Sequence, residues 1–571
     1  MYCRVLACDF DGTGAVDGRL APEAAEALVA ARRCGIVTLL VTGRVLEDLQ
    51  IAKVDLGAFD GVVSENGAVV SLHDGGQRIL VGDPPPERLL VALRESGIPF
   101  HSGAVVLGTW EQHAADLLGL VRRLGLDQQL VFNRAALMLL PSGVNKAVGI
   151  ARALDELGRS PRNTIAFGDA ENDWSMLVAA EVGVAARGAV PAVWVGADDR
   201  LSQSSGEGIA TYVRRLLEQD CVSPTPARRH VTLGTSTDGT PATLPASGTN
   251  VLISGDPRAG KSWLGGLIAE RLLVEGYRLC VIDPEGDHVA LNTRPDVLLF
   301  GDALALPEPT AIVEVLVAKP LSVVLTLASL SHTQKVDYVG RLIPVLVEAR
   351  RRSGLPHWTL VDEAHYFLDE GSACVDRLDP RTGSLLLLTY RPSQIAASVY
   401  ATVGAHVVTH TTVDNERYFV DAILRAADLG DLSAPDALAT IEPPLAGLLR
   451  PGCTPRWQTF LPRARLTSHV HHARKYIDEL LPQGKGFYFQ ATPVPVLARN
   501  VAEFCNAIAS VSVESLRRHL LAGDFARWAK DVLGDEPLAA GFRKLEHTAR
   551  TSGRVSAAEL LRHVYDRYAI E

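Results

Sequence analysis

Three features are missing from this sequence: paired cysteines, a long uninterrupted apolar run and a leader-like N-terminus. The eight cysteines are scattered without a Cys-x-x-Cys pair, which argues against a disulfide framework and predicts buried free thiols. The longest apolar stretch, residues 311–330, is interrupted by Glu314 and by Lys319-Pro320, so it predicts two short elements rather than a membrane span. The first residues run directly into an apolar strand and do not resemble a signal peptide. We expect a cytoplasmic protein that does not enter a membrane.

Length and charge set further limits. At 571 residues the chain is too long for one hydrophobic core and predicts about three or four folded units. A net charge of −10 argues against indiscriminate nucleic-acid binding by the whole surface. It leaves open a locally basic channel, so net charge alone does not identify the partner.

The pattern along the chain predicts an α/β protein with several domains. Over residues 1–217, short apolar runs alternate with Ala-rich amphipathic stretches, which predicts a parallel sheet with crossover helices. Residues 218–247 are rich in Pro, Thr, Ser and Gly and indicate a linker or lead-in. The β/α alternation resumes over residues 248–465 in a second, mostly parallel sheet. Residues 466–571 are expected to form a small, mostly helical C-terminal module.

Two aspartates lie where the first predicted strand ends. Asp9 and Asp11 flank Phe10 and are followed by Gly12. Open α/β sheets place ligands at such strand ends, and paired carboxylates there suit Mg²⁺ binding and attack on phosphorus. Taken alone, the motif is also compatible with an ordinary turn or a helix cap.

Three further segments favour the functional interpretation. Thr42-Gly43 follows a second apolar strand, Lys146 supplies a cation, and Asp169 and Asp173 cluster after another strand. In this order the segments resemble the four motifs of haloacid-dehalogenase-superfamily phosphatases, over about the first 215 residues. Residues 64–68 resemble a segment of the Cof-like subgroup, whose cap lies between the second and third motifs. The resemblance implies a Rossmann-like core with a small α/β cap at about residues 83–140.

The resemblance also implies a role for each motif residue. Asp9 would be the nucleophile that forms an aspartyl-phosphate, and Asp11 the acid that protonates the leaving oxygen and then activates water. Thr42 would hydrogen-bond the phosphoryl group and Lys146 would offset its charge. The implied Mg²⁺ ligands are Asp9, Asp11, Asp169 and Asp173, and the implied additional phosphate contacts are Gly43 and Asn172.

A second motif follows the apolar strand at residues 251–254. It has the pattern Gly-x-x-x-x-Gly-Lys-Ser and precedes an amphipathic helix, the context that a phosphate-binding P-loop requires. Backbone N–H groups of such a loop wrap phosphates, while its lysine reaches the terminal phosphates and its serine binds Mg²⁺. The predicted nucleotide-binding residues are Gly255, Asp256, Pro257, Arg258, Ala259, Gly260, Lys261 and Ser262.

An acidic pair supplies the partner that this loop needs. Asp362 and Glu363 end an apolar strand, which predicts a metal-binding aspartate and a catalytic base, with Ser262 as the other metal ligand. Residues 231–234 and 281–287 resemble segments of the HerA/FtsK group of P-loop ATPases. That group carries a sensor segment at the position of residues 388–393, but Tyr390 stands here where glutamine is usual. The resemblance implies ATP and Mg²⁺ as ligands and a homo-oligomer, and members of that group commonly form hexameric rings.

Two functions are consistent with these two sets of motifs. The first is a phosphomonoester hydrolase that acts on a small phosphorylated substrate and is regulated or assembled by ATP binding and hydrolysis in the second domain. The alternative is an ATP-driven hexameric nucleic-acid translocase or remodeller with an accessory end-processing phosphatase. A third hypothesis, in which one site only binds or scaffolds, ranks last because both sites carry every expected catalytic residue type.

Overall fold

A computed structural model describes the chain except for residues 17, 52–53, 73–77, 204, 303, 380–383, 428–432, 452, 454, 468–480, 482–483, 491–494, 534 and 569–571. Two large sheets divide most of the chain into two α/β units, and a helical module follows. Among the described helices, none combines the length and apolar composition needed to cross a lipid bilayer. Six of the eight cysteines are buried and all eight are unpaired thiols.

Among the residues that the structure describes, the first unit contains fourteen strands and eight α-helices. The strands are β1 (Val5–Asp9), β2 (Ala15–Val16), β3 (Arg19–Leu20), β4 (Val37–Val41), β5 (Gly61–Ser64), β6 (Val69–Leu72), β7 (Arg78–Leu80), β8 (His101–Ser102), β9 (Leu107–Trp110), β10 (Gln128–Asn133), β11 (Ala136–Pro141), β12 (Thr164–Gly168), β13 (Val182–Ala185) and β14 (Asp199–Arg200). The helices are α1 (Pro22–Arg33), α2 (Leu46–Ile51), α3 (Glu87–Glu95), α4 (Ala114–Leu124), α5 (Lys146–Glu156), α6 (Trp174–Ala179), α7 (Pro191–Gly196) and α8 (Ser205–Glu218).

Eight of these strands form the core sheet, in the order β14-β13-β12-β1-β4-β5-β6-β7. The strands from β14 to β5 are parallel to one another. At one edge, β6 pairs antiparallel with β5, and β7 pairs antiparallel with β6. All five residues of β1 are buried, as expected for a central parallel strand covered on both faces. Because β1 lies between β12 and β4, the chain segments that follow these three strands meet at one edge of the sheet.

The same unit contains a second, smaller sheet. Its order is β10-β11-β9-β8, and it is antiparallel throughout, with α3 and α4 packed on one face. It is inserted between β7 and α5, and we call it the cap. Glu65, buried after β5, accepts hydrogen bonds from the backbone N–H groups of Ala104, Val105 and Val106 at 2.8–3.0 Å. These bonds fasten the cap to the core sheet.

In its described residues, the second unit contains eleven strands and seven α-helices. The strands are β15 (His230–Ser236), β16 (Pro241–Pro245), β17 (Asn250–Ser254), β18 (Leu279–Asp283), β19 (Val297–Phe300), β20 (Ser322–Thr326), β21 (Trp358–Val361), β22 (Leu385–Thr389), β23 (Val403–Val408), β24 (Ala446–Leu449) and β25 (Trp457–Pro462). The helices are α9 (Lys261–Val274), α10 (Pro309–Ala318), α11 (His332–Ser353), α12 (Ala373–Arg377), α13 (Ala397–Tyr400), α14 (Asp414–Ala426) and α15 (Ala434–Ala439).

All eleven strands join one sheet, in the order β16-β15-β25-β24-β23-β17-β22-β21-β18-β20-β19. The seven strands from β23 to β19 are parallel to one another. Each of the other four strands pairs antiparallel with its neighbours in the sheet. The segment 218–247, expected from its composition to be a linker or lead-in, therefore contains two strands of this sheet. The reason is alternate burial: Val231, Leu233 and Leu244 face the core, and β15 pairs with β25 from more than two hundred residues later.

The last described part is mostly helical. It contains the hairpin β26 (Phe487–Phe489) and β27 (Val496–Ala498), then α16 (Val501–Ser510), α17 (Val513–Leu521), α18 (Asp524–Asp531), α19 (Glu536–Ser552) and α20 (Ala557–Tyr568). Aromatic rings fill its core, with Phe504 stacked on Trp528 at 4.5 Å between ring centroids. Arg258 of the second unit donates to the Asp531 carbonyl at 3.4 Å, so this module contacts the glycine-rich loop.

The two α/β units meet around one buried carboxylate, that of Glu181, which follows α6. It accepts hydrogen bonds from the Tyr277 hydroxyl at 2.8 and 2.9 Å and from the Ser247 hydroxyl at 2.6 Å. Arg229 lies 3.8 Å from the same group. Arg228 donates to carbonyl oxygens at the C-terminal end of α6 and pairs with Asp198 at 2.6 Å. Because Glu181 is fully buried, these contacts are part of a shared interior rather than a surface encounter.

Candidate functional site

Three buried carboxylates gather at the edge of the core sheet where β1 and β12 end. Asp9 is the last residue of β1, Asp169 follows β12, and Asp173 lies four residues further on. One carboxylate oxygen of each lies within 4.8 Å of the others. Hard oxygen ligands at this spacing suit a divalent cation such as Mg²⁺. The donor set therefore fits the metal that the sequence predicts.

Lys146 supplies positive charge to this cluster. It opens α5, whose N-terminus is capped by the Asn145 side chain accepting from the Val148 N–H. Its ammonium donates to Asp9 Oδ1 at 2.6 Å and also to Asp173 Oδ1. Burial opposes a charge on Lys146, but the carboxylates of Asp173 and Asp9 outweigh it and raise the pKa of the lysine. Lys146 therefore stays protonated.

The carboxylates themselves are costly to ionise together. Burial, followed by the charge of Asp173, raises the pKa of Asp9 well above its usual value, and Lys146 acts in the opposite direction. Burial and Asp173 likewise raise the pKa of Asp169, against the effect of Arg134 and Thr13. A divalent cation among the three would lower these pKa values and favour the ionised Asp9 that nucleophilic attack requires.

The predicted phosphate contacts lie next to Asp9. Asp9 pairs in register with Val41, so Thr42 and Gly43 follow at the same sheet edge. Thr42 is buried and its hydroxyl accepts from the Arg44 N–H at 3.1 Å. Asn172 donates to Asn66 Oδ1 at 3.0 Å, which links the fourth motif to the segment after β5. The fold thus brings all of these predicted residues to one place.

The resemblance implies that Asp11 is a metal ligand, but its side chain does not join the three carboxylates that cluster among the described residues. Arg44 instead binds it with two hydrogen bonds, Nε to Oδ2 at 2.8 Å and Nη2 to Oδ1 at 2.5 Å. This pairing raises the pKa of Arg44. The guanidinium holds Asp11 at the wall of the neighbouring pocket, where a leaving group rather than a metal would meet it.

Three side chains make contacts at this site that the motifs did not predict: Arg44, Thr13 and Arg134. Thr13 donates to Asp169 Oδ1 at 3.0 Å, and Arg134 of the cap forms an ion pair with Asp169 Oδ2. Arg44 and Thr13 each lie within two residues of a predicted motif residue, so proximity was an available signal. Arg134 lies 35 residues before Asp169, and nothing in its local sequence indicates the contact.

A pocket of about 440 Å³ separates the cluster from the cap. Asp9, Asp11 and Gly43 line its core side. The cap side is a mixture of apolar and polar residues: Pro99, Phe100, His101, Gly108, Thr109, Trp110, Asn133, Ala136, Leu137 and Met138. The volume fits a small organic phosphate.

A second candidate site lies in the second unit, around the loop between β17 and α9. Gly255 and Gly260 have φ of 153° and 91°, and Arg258 between them has φ of 69°. Lys261 is buried at the start of α9, and its ammonium donates to the Asp256 carbonyl at 2.9 Å. Backbone N–H groups at such a helix N-terminus favour anions.

The predicted acidic partners lie two strands away from this loop, after β21. Glu363 is buried with φ of 45°, and its backbone N–H donates to Asp362 Oδ1 at 2.9 Å. Asp362 also contacts His288 Nε2 at 3.1 Å. Burial opposes protonation of His288, but its bond to Asp362 raises its pKa overall. The Lys261 ammonium lies 5.8 Å from the ring centroid of Tyr390, which follows the intervening strand β22.

An apolar pocket of about 480 Å³ adjoins the same loop. Trp263 and Leu264 of α9 form one side, and Pro443, Pro444 and Leu461 lie among the residues opposite. Arg258, Ala259 and Gly260 of the loop belong to the same lining, so the pocket and the loop are continuous.

Gly12 provides a test of the carboxylate cluster. Its φ is 85°, which favours glycine, and a Cβ atom there would collide with the Asp169 carboxylate. We expect Gly12→Ala to displace Asp169 and to reduce any Mg²⁺-dependent activity by roughly a hundredfold or more, as misplacement of a site by about 1 Å does. Gly35→Ala, with φ of 78° but open space around it, is the matched control. Equal activity of the two variants would contradict this account of the cluster.

Comparison with known proteins agrees with the geometry of the first site. The family model described as haloacid dehalogenase-like hydrolase matches residues 126–213. The phosphoglycolate phosphatase of Methanothermobacter thermautotrophicus is 29% identical over 221 residues, covering 38% of this chain and 99% of the relative. That of Halorubrum lacusprofundi is 30% identical over 223 residues, covering 37% and 96%.

A solved haloacid dehalogenase-like hydrolase from B. subtilis is 21% identical, with a TM-score of 0.33, and the match covers 37% of this chain and 99% of that one. The family model and the Halorubrum lacusprofundi relative confirm, for the N-terminal part, the resemblance inferred from the four motifs. With its core sheet, its cap and its buried carboxylate cluster, that part of the chain belongs to the haloacid dehalogenase-like hydrolase family.

Proposed function

We propose that the N-terminal unit is a Mg²⁺-dependent phosphomonoester hydrolase that works through an aspartyl-phosphate. The observation that carries this proposal is the contact between the buried Lys146 ammonium and the Asp9 carboxylate, within a cluster that fits Mg²⁺. Relatives covered almost from end to end are phosphoglycolate phosphatases, which supports a small phosphate ester as substrate.

The reaction follows from where the residues lie. Asp9 attacks phosphorus, so that a new P–O bond forms as the ester P–O bond breaks, and Asp11 gives a proton to the leaving oxygen. Water then attacks the aspartyl-phosphate, Asp11 takes its proton, and Asp9 is released with phosphate. Lys146 and the Thr42 hydroxyl offset charge on the phosphoryl oxygens. Mg²⁺ held by Asp9, Asp169 and Asp173 would supply further positive charge there.

Replacing the nucleophile tests this proposal. Asp9→Asn keeps the shape of the side chain but removes its nucleophilic oxygen, so we expect phosphate release to fall by roughly a thousandfold or more. The assay is release of inorganic phosphate from p-nitrophenyl phosphate and 2-phosphoglycolate with Mg²⁺. Asp116→Asn, at an exposed cap position, is the control. Undiminished activity in Asp9→Asn would eliminate the nucleophile assignment.

We propose further that residues 248–465 form a P-loop ATPase of the HerA/FtsK type, followed by the helical module. Support comes from the helix N-terminus at Lys261, the buried Asp362 and Glu363 two strands away, and the adjoining apolar pocket. Lys261 would bind the terminal phosphates, and Ser262 with Asp362 would hold Mg²⁺. Glu363 would then activate water.

Two substitutions separate binding from hydrolysis at this site. Lys261→Ala removes a phosphate contact and should weaken binding of a fluorescent ATP analogue and abolish hydrolysis. Glu363→Gln should bind the analogue normally but hydrolyse ATP roughly a hundredfold more slowly, the lower range of loss for a general base. Lys319→Ala, exposed beyond α10, is the control. Normal hydrolysis in either site variant would refute the proposed role of that residue.

The alternative function, a nucleic-acid translocase, predicts a different result in the ATP-hydrolysis assay. ATP hydrolysis by a translocase should be stimulated by DNA, and the stimulation should fall steeply with salt. If DNA at low salt does not stimulate ATP hydrolysis, the result would favour the proposal that the second unit regulates the phosphatase. The proposed homo-oligomer would be detected by light scattering with and without ATP.

Regulation would pass through the carboxylate of Glu181. It follows α6, which begins directly after the cluster residue Asp173, and it binds Tyr277 of the second unit. We expect an ATP analogue to alter phosphate release by about fivefold, the lower range of allosteric couplings. Tyr277→Phe should reduce that response without changing either basal activity. Tyr488→Phe, with an exposed ring, is the control, and an unchanged response in Tyr277→Phe would exclude this route.

A further inference from the structure

Arg134 occupies an unfavourable place for its residue type. It begins the two-residue turn of the cap hairpin in which Asn133 pairs with Ala136. Its φ is 52°, a conformation that favours glycine in such turns and strains other residues. Strain of this kind is retained where the side chain has a task, so the arginine itself needs an explanation.

The guanidinium of Arg134 reaches the core site from the cap. Nη2 forms an ion pair with Asp169 Oδ2, although 57% of the arginine side chain is exposed and the aspartate is buried. The carboxylate of Asp169 lies within 4.8 Å of that of Asp9. Asn133 and Ala136, the residues on either side of the turn, both line the pocket in front of Asp9. The turn that carries Arg134 therefore borders the pocket, and its guanidinium lies beside the carboxylate cluster.

The remaining N–H groups of Arg134 have capacity for a ligand. Among the described residues, Asp169 is the one hydrogen-bond partner of Arg134, and it uses Nη2 alone. The other pocket guanidinium, that of Arg44, already uses two nitrogens to bind Asp11. A planar guanidinium presents five donors and binds carboxylates in a bidentate manner. One positive charge matches a monoanionic carboxylate better than a second, dianionic phosphate.

We infer that Arg134 is a specificity-determining residue that binds a carboxylate on the leaving group of the phosphate ester. This inference rests on the proposed phosphatase function and deepens it, because it defines the substrate class as small phosphorylated hydroxy acids. The simpler alternative is that Arg134 only neutralises Asp169.

A matched pair of esters tests the inference in the full-length protein. 2-Phosphoglycolate carries the carboxylate, and 2-hydroxyethyl phosphate replaces it with a neutral hydroxymethyl group. We expect Arg134→Gln to lower kcat/KM for 2-phosphoglycolate by roughly thirtyfold, in the range of a lost charge-assisted hydrogen bond. The value for 2-hydroxyethyl phosphate should change less than about threefold. Arg123→Gln, at an exposed position of α4, should alter neither value.

A second variant separates recognition from folding. Arg134→Gly relieves the positive φ, so we expect its Tm to equal or exceed that of the wild type while the preference for 2-phosphoglycolate is lost. Equal losses for the two esters, together with a shifted Mg²⁺ requirement, would overturn the inference and leave Arg134 as a partner of Asp169. Unchanged kcat/KM for both esters would also overturn it. If the wild type hydrolysed neither ester nor p-nitrophenyl phosphate, the proposed phosphatase function itself would fail.

Discussion

Mutual repulsion of three buried carboxylates is the constraint on which the first unit depends. Asp9, Asp169 and Asp173 lie within 4.8 Å of one another, away from water, where like charges are expensive. Lys146 offsets part of that charge, and its own burial is tolerable because two carboxylates surround it. A divalent cation bound among the three carboxylates would offset this repulsion. Parallel strands make the cluster possible, since β1 and β12 are neighbours and end at one edge.

The cap is held against the core next to the carboxylate cluster, and further charged contacts form there. Three backbone N–H groups bind Glu65 and fix the cap against the core, so its hairpin reaches over the cluster. Two arginines then approach carboxylates of the site from outside, Arg44 to Asp11 and Arg134 to Asp169. The pocket thus lies between the carboxylates of the core and a cap surface of mixed apolar and polar residues.

The second unit uses buried polar groups in a comparable way, and the two units share an interior. Asp283 accepts three backbone N–H groups after β18, while burial raises its pKa to about 6. His288, on the same turn, contacts Asp362. Around Glu181, hydroxyl and guanidinium donors from the second unit satisfy a carboxylate of the first. Losing one of these donors would leave a buried charge poorly solvated, which makes each contact costly to break.

The sequence alone determined which residue types could do chemistry and which strands carry them. Asp9, Thr42 and Asp169 follow apolar runs, and the resemblance of their segments and that of Lys146 to four family motifs grouped them in one site. Composition was misleading at residues 218–247, where strand pairing with β25 depends on residues far along the chain. Arg44 on Asp11, Arg134 on Asp169 and Tyr277 on Glu181 were decided by tertiary structure alone. Their partners lie 33, 35 and 96 residues away, and only the packed fold determines which charge each donor meets.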